Sequence, residues 1–194
     1  MKGLVTVGLD GTLQAMAAAR WAAREAELRR ARLLLLHAWI PRAPGPAHAS
    51  AEEETTGYAP HRITEEARAV ILASHPDLAV HVRAVCKDPL DALVKAAEES
   101  DLLVLGSRGL GAAARFTLGE TGLELVTRTV VPTVLVRAQQ AVPARLGSGN
   151  VTVGVSLHGT CDGLLAFAFE TAARRGGQAP AGGRPHPEGP PKQK

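Results

Sequence analysis

A chain of 194 residues holds one ordinary domain and a remainder, but is too short for two domains of average size. Hydrophobic residues make up 45% and charged residues 21%, which excludes a mostly disordered chain or a collagen-like repeat, and aromatics at 3% leave the core to Ala, Val and Leu. Of the formal charge of +3, residues 178–194 carry +2 through Arg184, Lys192 and Lys194 against Glu188, so the near-neutral body has no electrostatic footprint for nucleic acid.

Along the chain, short aliphatic runs alternate with longer stretches of helical period. Residues 3–9 form a compact apolar run that ends in Asp10-Gly11-Thr12, a turn or helix-cap cluster. From residue 13 to about 30 the period becomes 3.6, with Ala15, Ala18, Ala19, Ala22 and Ala26 on one face and Arg20, Arg24 and Glu27 opposite. The unbroken leucines of 32–39 predict a strand buried on both sides, with His37 as a structural histidine within it. Residues 41–60, rich in Pro, Gly, Ala and acidic side chains, read as a loop. A helix is expected at 61–74 and a strand at 78–85. Asp88-Pro89 then opens a helix reaching about residue 99, with Pro at its first position. A strand at 101–106, a Gly-rich loop, a short helix around 119–129 and a strand at 133–136 complete the set.

Strands that alternate with helices predict an α/β fold: a five-stranded parallel sheet with helices on both faces, Rossmann-like, joined by right-handed crossovers. Ligands of such sheets bind at the carboxyl ends of the strands where the winding reverses. The first and fourth strands are the expected pair at that point, and the last strand is expected at an edge open to another chain.

After a linker at 138–149 the chain begins again. Val-Thr-Val-Gly at 151–154 repeats 5–8 at an offset of 146, and the same offset aligns Phe167 with Trp21, Ala168 with Ala22 and Ala172 with Ala26. The expected organisation is a domain at 1–137, a truncated strand–helix start of a second repeat at 150–177, and a disordered tail at 178–194 with eight Pro or Gly in 17 residues. In the copy, Asp10, Gly11 and Thr12 become Ser156, Leu157 and His158, so no second ligand site is expected there.

The two cysteines, Cys86 and Cys161, form no Cys-x-x-Cys pair, and each is expected as a small buried side chain in a reduced cytoplasm. The aliphatic runs at 33–36 and 102–105 are too short to cross a bilayer, and the first ten residues hold no stretch of signal-peptide length, so a cytoplasmic protein without a membrane partner is expected.

The chemistry concentrates at Leu103-Val-Leu-Gly-Ser-Arg-Gly-Leu-Gly, running on to Thr117-Leu-Gly-Glu-Thr. A Gly-rich loop between a buried strand and a helix lets backbone N–H groups approach phosphate oxygens without obstruction. The spacing is Gly106-x-x-Gly109, then nine residues to Gly119. Together with Val5-Thr-Val-Gly-Leu-Asp-Gly-Thr, this pattern over residues 3–137 resembles the universal stress protein family.

That resemblance implies ATP as ligand, with a magnesium ion as its companion. Asp10 would face the adenine or ribose and Ala38 would flank the base. Gly106, Gly109 and Gly119 would let the loop wrap the phosphates, with Ser107 and Arg108 as polar contacts. It also implies a homodimer through the last strand. Two simpler readings stand beside these: Asp10 as a helix cap, and the glycines as a tight turn without ligand. The family's nucleotide binders carry Ser or Thr directly after the last glycine and a hydroxyl two residues on, where this chain has Glu120 and Gly122, with Thr121 between. An ionised carboxylate only accepts hydrogen bonds, and about 4 Å from a phosphate it costs roughly 1 to 4 kcal/mol.

Gly109-x-Gly111-x-x-Ala114 fits a dinucleotide fingerprint formally, but it follows the fourth strand and no acidic residue closes the next one. There is no Gly-Lys-Ser/Thr motif and no evident general base, so a nucleotide-sensing module is expected rather than an enzyme, although weak ATP hydrolysis would be compatible with it. The alternative is a degenerate relative that no longer binds nucleotide and acts through protein contacts.

Overall fold

The computed structural model describes residues 3–40, 58–107, 120–138, 151–155 and 161–176, with the backbone alone at 58–60 and 120–123. The chain divides into two compact units, Met1–Val142 and Pro143–Lys194.

In the first unit the chain runs β1 (Leu4–Leu9), α1 (Leu13–Arg29), β2 (Arg32–Trp39), α2 (Tyr58–Ser74), β3 (Val80–Cys86), α3 (Pro89–Glu98), β4 (Leu102–Ser107), α4 (Glu120–Arg128) and β5 (Thr133–Arg137). All ladders are parallel and the strand order is β3-β2-β1-β4-β5. The five-stranded parallel sheet is therefore as expected, and β1 and β4 are the neighbours at which the winding reverses. The first two crossovers travel one way and the last two the other. Right-handed connections put α1 and α2 on one face and α3 and α4 on the opposite face, and accordingly α1 touches α2 and α3 touches α4. β3 and β5 are the edges.

Helix α1 shows how a core with few aromatics is closed. Ala18, Ala19, Ala22, Ala23 and Ala26 are fully buried, and their short side chains let the helix lie close to β1 and β4, both of which it contacts. On the other face Leu36 and Leu103 pack with Leu93, Ala96, Ala97 and Leu125. Side chains alternate along a strand, so Leu33, Leu35 and His37 point to the α1/α2 face and Leu36 and Ala38 to the α3/α4 face. α2 begins at Tyr58, earlier than expected. Pro60 is compatible with that start, because N–H groups in a first helical turn have no intrahelical partner.

Two polar seams tie α3 and β4 to β1. Ser100 Oγ donates to Ala96 O at 2.7 Å, so its single proton is committed and Thr6 Oγ1 is the donor in their 2.7 Å contact. One residue on, Asp101 N–H donates to Leu4 O at 2.9 Å, while Asp101 Oδ2 accepts from Leu4 N–H at 3.3 Å. Between helices, His75 Nδ1 meets Glu27 Oε1 at 2.8 Å, joining the end of α2 to α1.

Neither cysteine is buried as expected. Cys86 is exposed because it ends an edge strand, and Cys161 is half-buried just before the helix of the second unit. That unit contains α5 (Asp162–Arg174), the helix expected from the repeat. Residues 151–155 are not a strand. They pair with no described strand, and an extended segment without a ladder partner has nothing to hold it in a sheet. The expected tail at 178–194 lies outside the described residues.

The Thr6–Ser100 seam predicts an asymmetry. Ser100→Ala leaves the Thr6 hydroxyl buried without an acceptor and should cost about 1–3 kcal/mol, whereas Thr6→Val leaves Ser100 bonded to Ala96 and should cost about 1 kcal/mol. Urea unfolding of the two variants measures the difference.

Candidate functional site

The carboxyl edge of the sheet opens at one place. The β1–β2 ladder runs to Leu9↔His37 and the β4–β5 ladder to Ser107↔Arg137, but the β1–β4 ladder ends at Val7↔Val104. β1 and β4 thus part company before either ends, leaving a crevice at the point where the winding reverses.

Asp10 stands at the β1 side of this crevice, exposed. Its Oδ1 accepts from Thr12 N–H at 3.0 Å and from Thr12 Oγ1 at 2.6 Å. Thr12 Oγ1 in turn accepts from Ala15 N–H at 3.2 Å, so Thr12 is the N-cap of α1. The helix-cap reading of Asp10 is corrected accordingly: Asp10 orients the cap and does not supply it. Since a threonine hydroxyl has one proton, giving it to Asp10 leaves its lone pairs free for the helix. Gly11 makes the turn possible with φ of 78°, a conformation that a side chain would strain. The Asp-Gly-Thr spacing marks this turn in the sequence, although it does not say which residue caps.

Ala38 is half-buried on β2, one residue beyond the Leu9↔His37 pair and opposite Val85 of β3. It therefore lies level with Asp10, on the α3/α4 face. His37 is buried on the other face, as expected of a structural histidine, with Nδ1 2.7 Å from Leu9 O.

Gly106 has a local reason that sequence reasoning missed. A Cβ there would lie 2.5 Å from Gln14 C, 2.6 Å from Gln14 O and 2.7 Å from Ala15 N, inside the first turn of α1. It belongs to β4, not to a tight turn, and glycine is required because helix backbone touches strand backbone. Gly8 is a weaker case that was also missed: its Cβ would meet Leu105 Cδ2 at 2.9 Å and Leu93 Cδ2 at 3.1 Å, both ends of flexible side chains.

Ser107 ends β4 and is half-buried. Glu120 and Thr121 open α4, and their side chains, like Arg108, Gly109 and Gly119 altogether, lie outside the described residues. The carboxyl edge thus unites Asp10, Ala38, Gly106 and Ser107 on three neighbouring strands. Among the described residues, no three His, Cys, Asp or Glu side chains are gathered in a way that could hold a metal ion. No helix among them is long and apolar enough to cross a membrane.

Comparison with known proteins gives a consistent result. The model of the universal stress protein family matches residues 3–137. A universal stress protein of Mycobacterium tuberculosis is 33% identical over 183 residues, covering 89% of this chain and 60% of the relative. One of Mycolicibacterium smegmatis is 32% identical over 181 residues, with the same coverages. The chain therefore spans about 60% of the length of these relatives. Among solved structures, a universal stress protein in complex with cAMP aligns with TM-score 0.54 and 28% identity, over 70% of this chain and 97% of that one. Another, from Archaeoglobus fulgidus, aligns with TM-score 0.68 over 92% of this chain and 65% of that one; at 15% identity it speaks for the fold alone.

Gly106→Ala should destabilise the first unit by about 1–3 kcal/mol or more, because the atoms in the way are backbone and cannot rotate aside. Gly163→Ala, where nothing lies within 4 Å, is the control and should cost nothing. Denaturant midpoints with unchanged m-values would establish the contrast.

Proposed function

Because this chain belongs to the universal stress protein family, we propose that it binds an adenine nucleotide, ATP in the first instance, in the crevice between β1 and β4, and serves as a cytoplasmic stress-response regulator rather than a catalyst. The observation that carries this reading is the early end of the β1–β4 ladder, which opens the sheet beside Asp10 and Gly106. The structural relative with bound cAMP, at 28% identity, supports an adenine ligand. Asp10 would take the adenine or ribose side, and its Oδ2 has no hydrogen-bond partner among the described residues. Ala38, level with it, would flank the base. The phosphates would fall to the loop that leaves β4, through Ser107, Arg108, Gly109 and Gly119. Gly106 would serve by letting α1 sit close, since its missing side chain is already accounted for by that helix. Magnesium would enter as the companion of the phosphates. In this reading residues 150–177 are the truncated start of a second repeat and add no second site.

Glu120 favours a second reading. It opens α4, where the family's binders carry a hydroxyl, and an anion there competes with phosphate for the helix N-terminus. Such a protein would act through contacts without nucleotide. Glu120→Ser removes the charge and adds a donor, and should tighten ATP binding about tenfold or more. Asp10→Ala in that background should weaken it again. Calorimetric titration of the wild type and the single and double variants decides between the readings: if Glu120→Ser binds no better than wild type, contacts without nucleotide become the preferred function.

We also propose a homodimer through β5, whose outer edge has no strand beside it in the described sheet. Light scattering over a concentration series should give twice the mass of the chain. A mass that stays monomeric at high concentration would sink the proposal.

A further inference from the structure

His37 does more than the sheet requires of it. β1 and β2 are already in register up to Leu9↔His37 through their backbones, yet the imidazole adds a buried bond, Nδ1 to Leu9 O at 2.7 Å. A carbonyl can only accept, so Nδ1 carries the proton. The ring is steadied by Trp39, whose plane lies 11° from it with the centroids 6.0 Å apart.

The carbonyl so held is half of a peptide unit whose other half faces the crevice. Gly3 O accepts from Arg32 N–H of β2, while Leu4 O accepts from Asp101 N–H at the start of β4. Continuing that alternation, the odd-numbered carbonyls of β1 point to β2 and the even-numbered to β4. The peptide between Leu9 and Asp10 is trans and planar, with no cis bonds in the described chain. Leu9 O pointing to β2 therefore aims Asp10 N–H at β4, at a level where the β1–β4 ladder has already ended. This N–H has no ladder partner among the described residues.

We propose that His37 is a positioning residue for the nucleotide site: its Nδ1–H bond to Leu9 O fixes the Leu9–Asp10 peptide so that Asp10 N–H donates to an acceptor atom of the bound nucleotide. The inference rests on the nucleotide reading above. His37 does not touch the ligand; it acts through one peptide unit, from the opposite face of the sheet.

Two substitutions separate this role from a purely structural one. His37→Asn places an amide N–H where Nδ1 stands, and His37→Phe keeps a ring beside Trp39 but deletes the donor. Nucleotide affinity by calorimetry should fall about three- to tenfold in His37→Phe, the worth of one hydrogen bond, and stay within about twofold of wild type in His37→Asn. A structural histidine would instead lower the melting temperature of both without separating their affinities. Should His37→Phe fail to fold, His37→Gln, whose amide reaches the Nε2 position instead, carries the same expectation. Equal affinity of the donor-less variant and wild type would overturn the proposal, as would equal loss in both variants. If wild type binds no adenine nucleotide, the nucleotide reading falls. Amide hydrogen exchange then judges the role of His37 on its own: Gly11 and Thr12 must exchange faster in His37→Phe than in His37→Asn, and equal rates overturn it.

Discussion

Helix α1 lies against β4 backbone to backbone, and the absence of a side chain at Gly106 is what permits it. The alanines that follow along the helix continue the close approach, so that five of them are completely withdrawn from solvent. A chain with almost no aromatics cannot fill a wide gap between helix and sheet, and narrowing the gap is the alternative. Burial of methyl groups contributes modestly per residue, roughly 0.8 kcal/mol for each such carbon, but dispersion is gained only where surfaces meet without voids. The close approach also sets where the first turn of α1 stands relative to the ends of β1 and β4, and so shapes the crevice.

From that contact the geometry of the carboxyl edge follows. Because α1 starts over β4, the chain leaving β1 must turn sharply, which Gly11 permits with its positive φ. The turn is closed by a relay of hydrogen bonds from Ala15 through Thr12 to Asp10. Asp10 is thereby held by one carboxylate oxygen, and the peptide before it is held by His37 from the other face. A turn restrained on two sides is preorganised, and preorganisation lowers the entropy lost when a ligand binds.

The electrostatics of the edge are less uniform. The N-terminus of α4 is where an anion would be welcomed by the helix dipole, and the residue that opens this helix is Glu120. Membership of the universal stress protein family and the parallel fold are secure on the match over residues 3–137.

The order of elements and the parallel sheet were legible because they are written in local periods: 3.6 in the alanines of α1 and unbroken leucines in β2. Asp10-Gly11-Thr12 was legible as a turn for the same reason, since its chemistry is confined to three neighbouring residues. The family pattern of glycines also stood in the sequence. What tertiary structure alone decided was the meaning of single residues within those patterns. Gly106 matched a phosphate-loop motif, but the first turn of α1 explains its lack of a side chain. His37 was legible as buried, but not as bonded to Leu9, and Thr6 and Ser100 meet across 94 residues of chain. Cys86 was misjudged because nothing in its neighbours says that β3 is an edge. Periodicity reports which way a side chain faces along its own element. The atom it meets there belongs to a distant part of the chain, and only packing brings the two together.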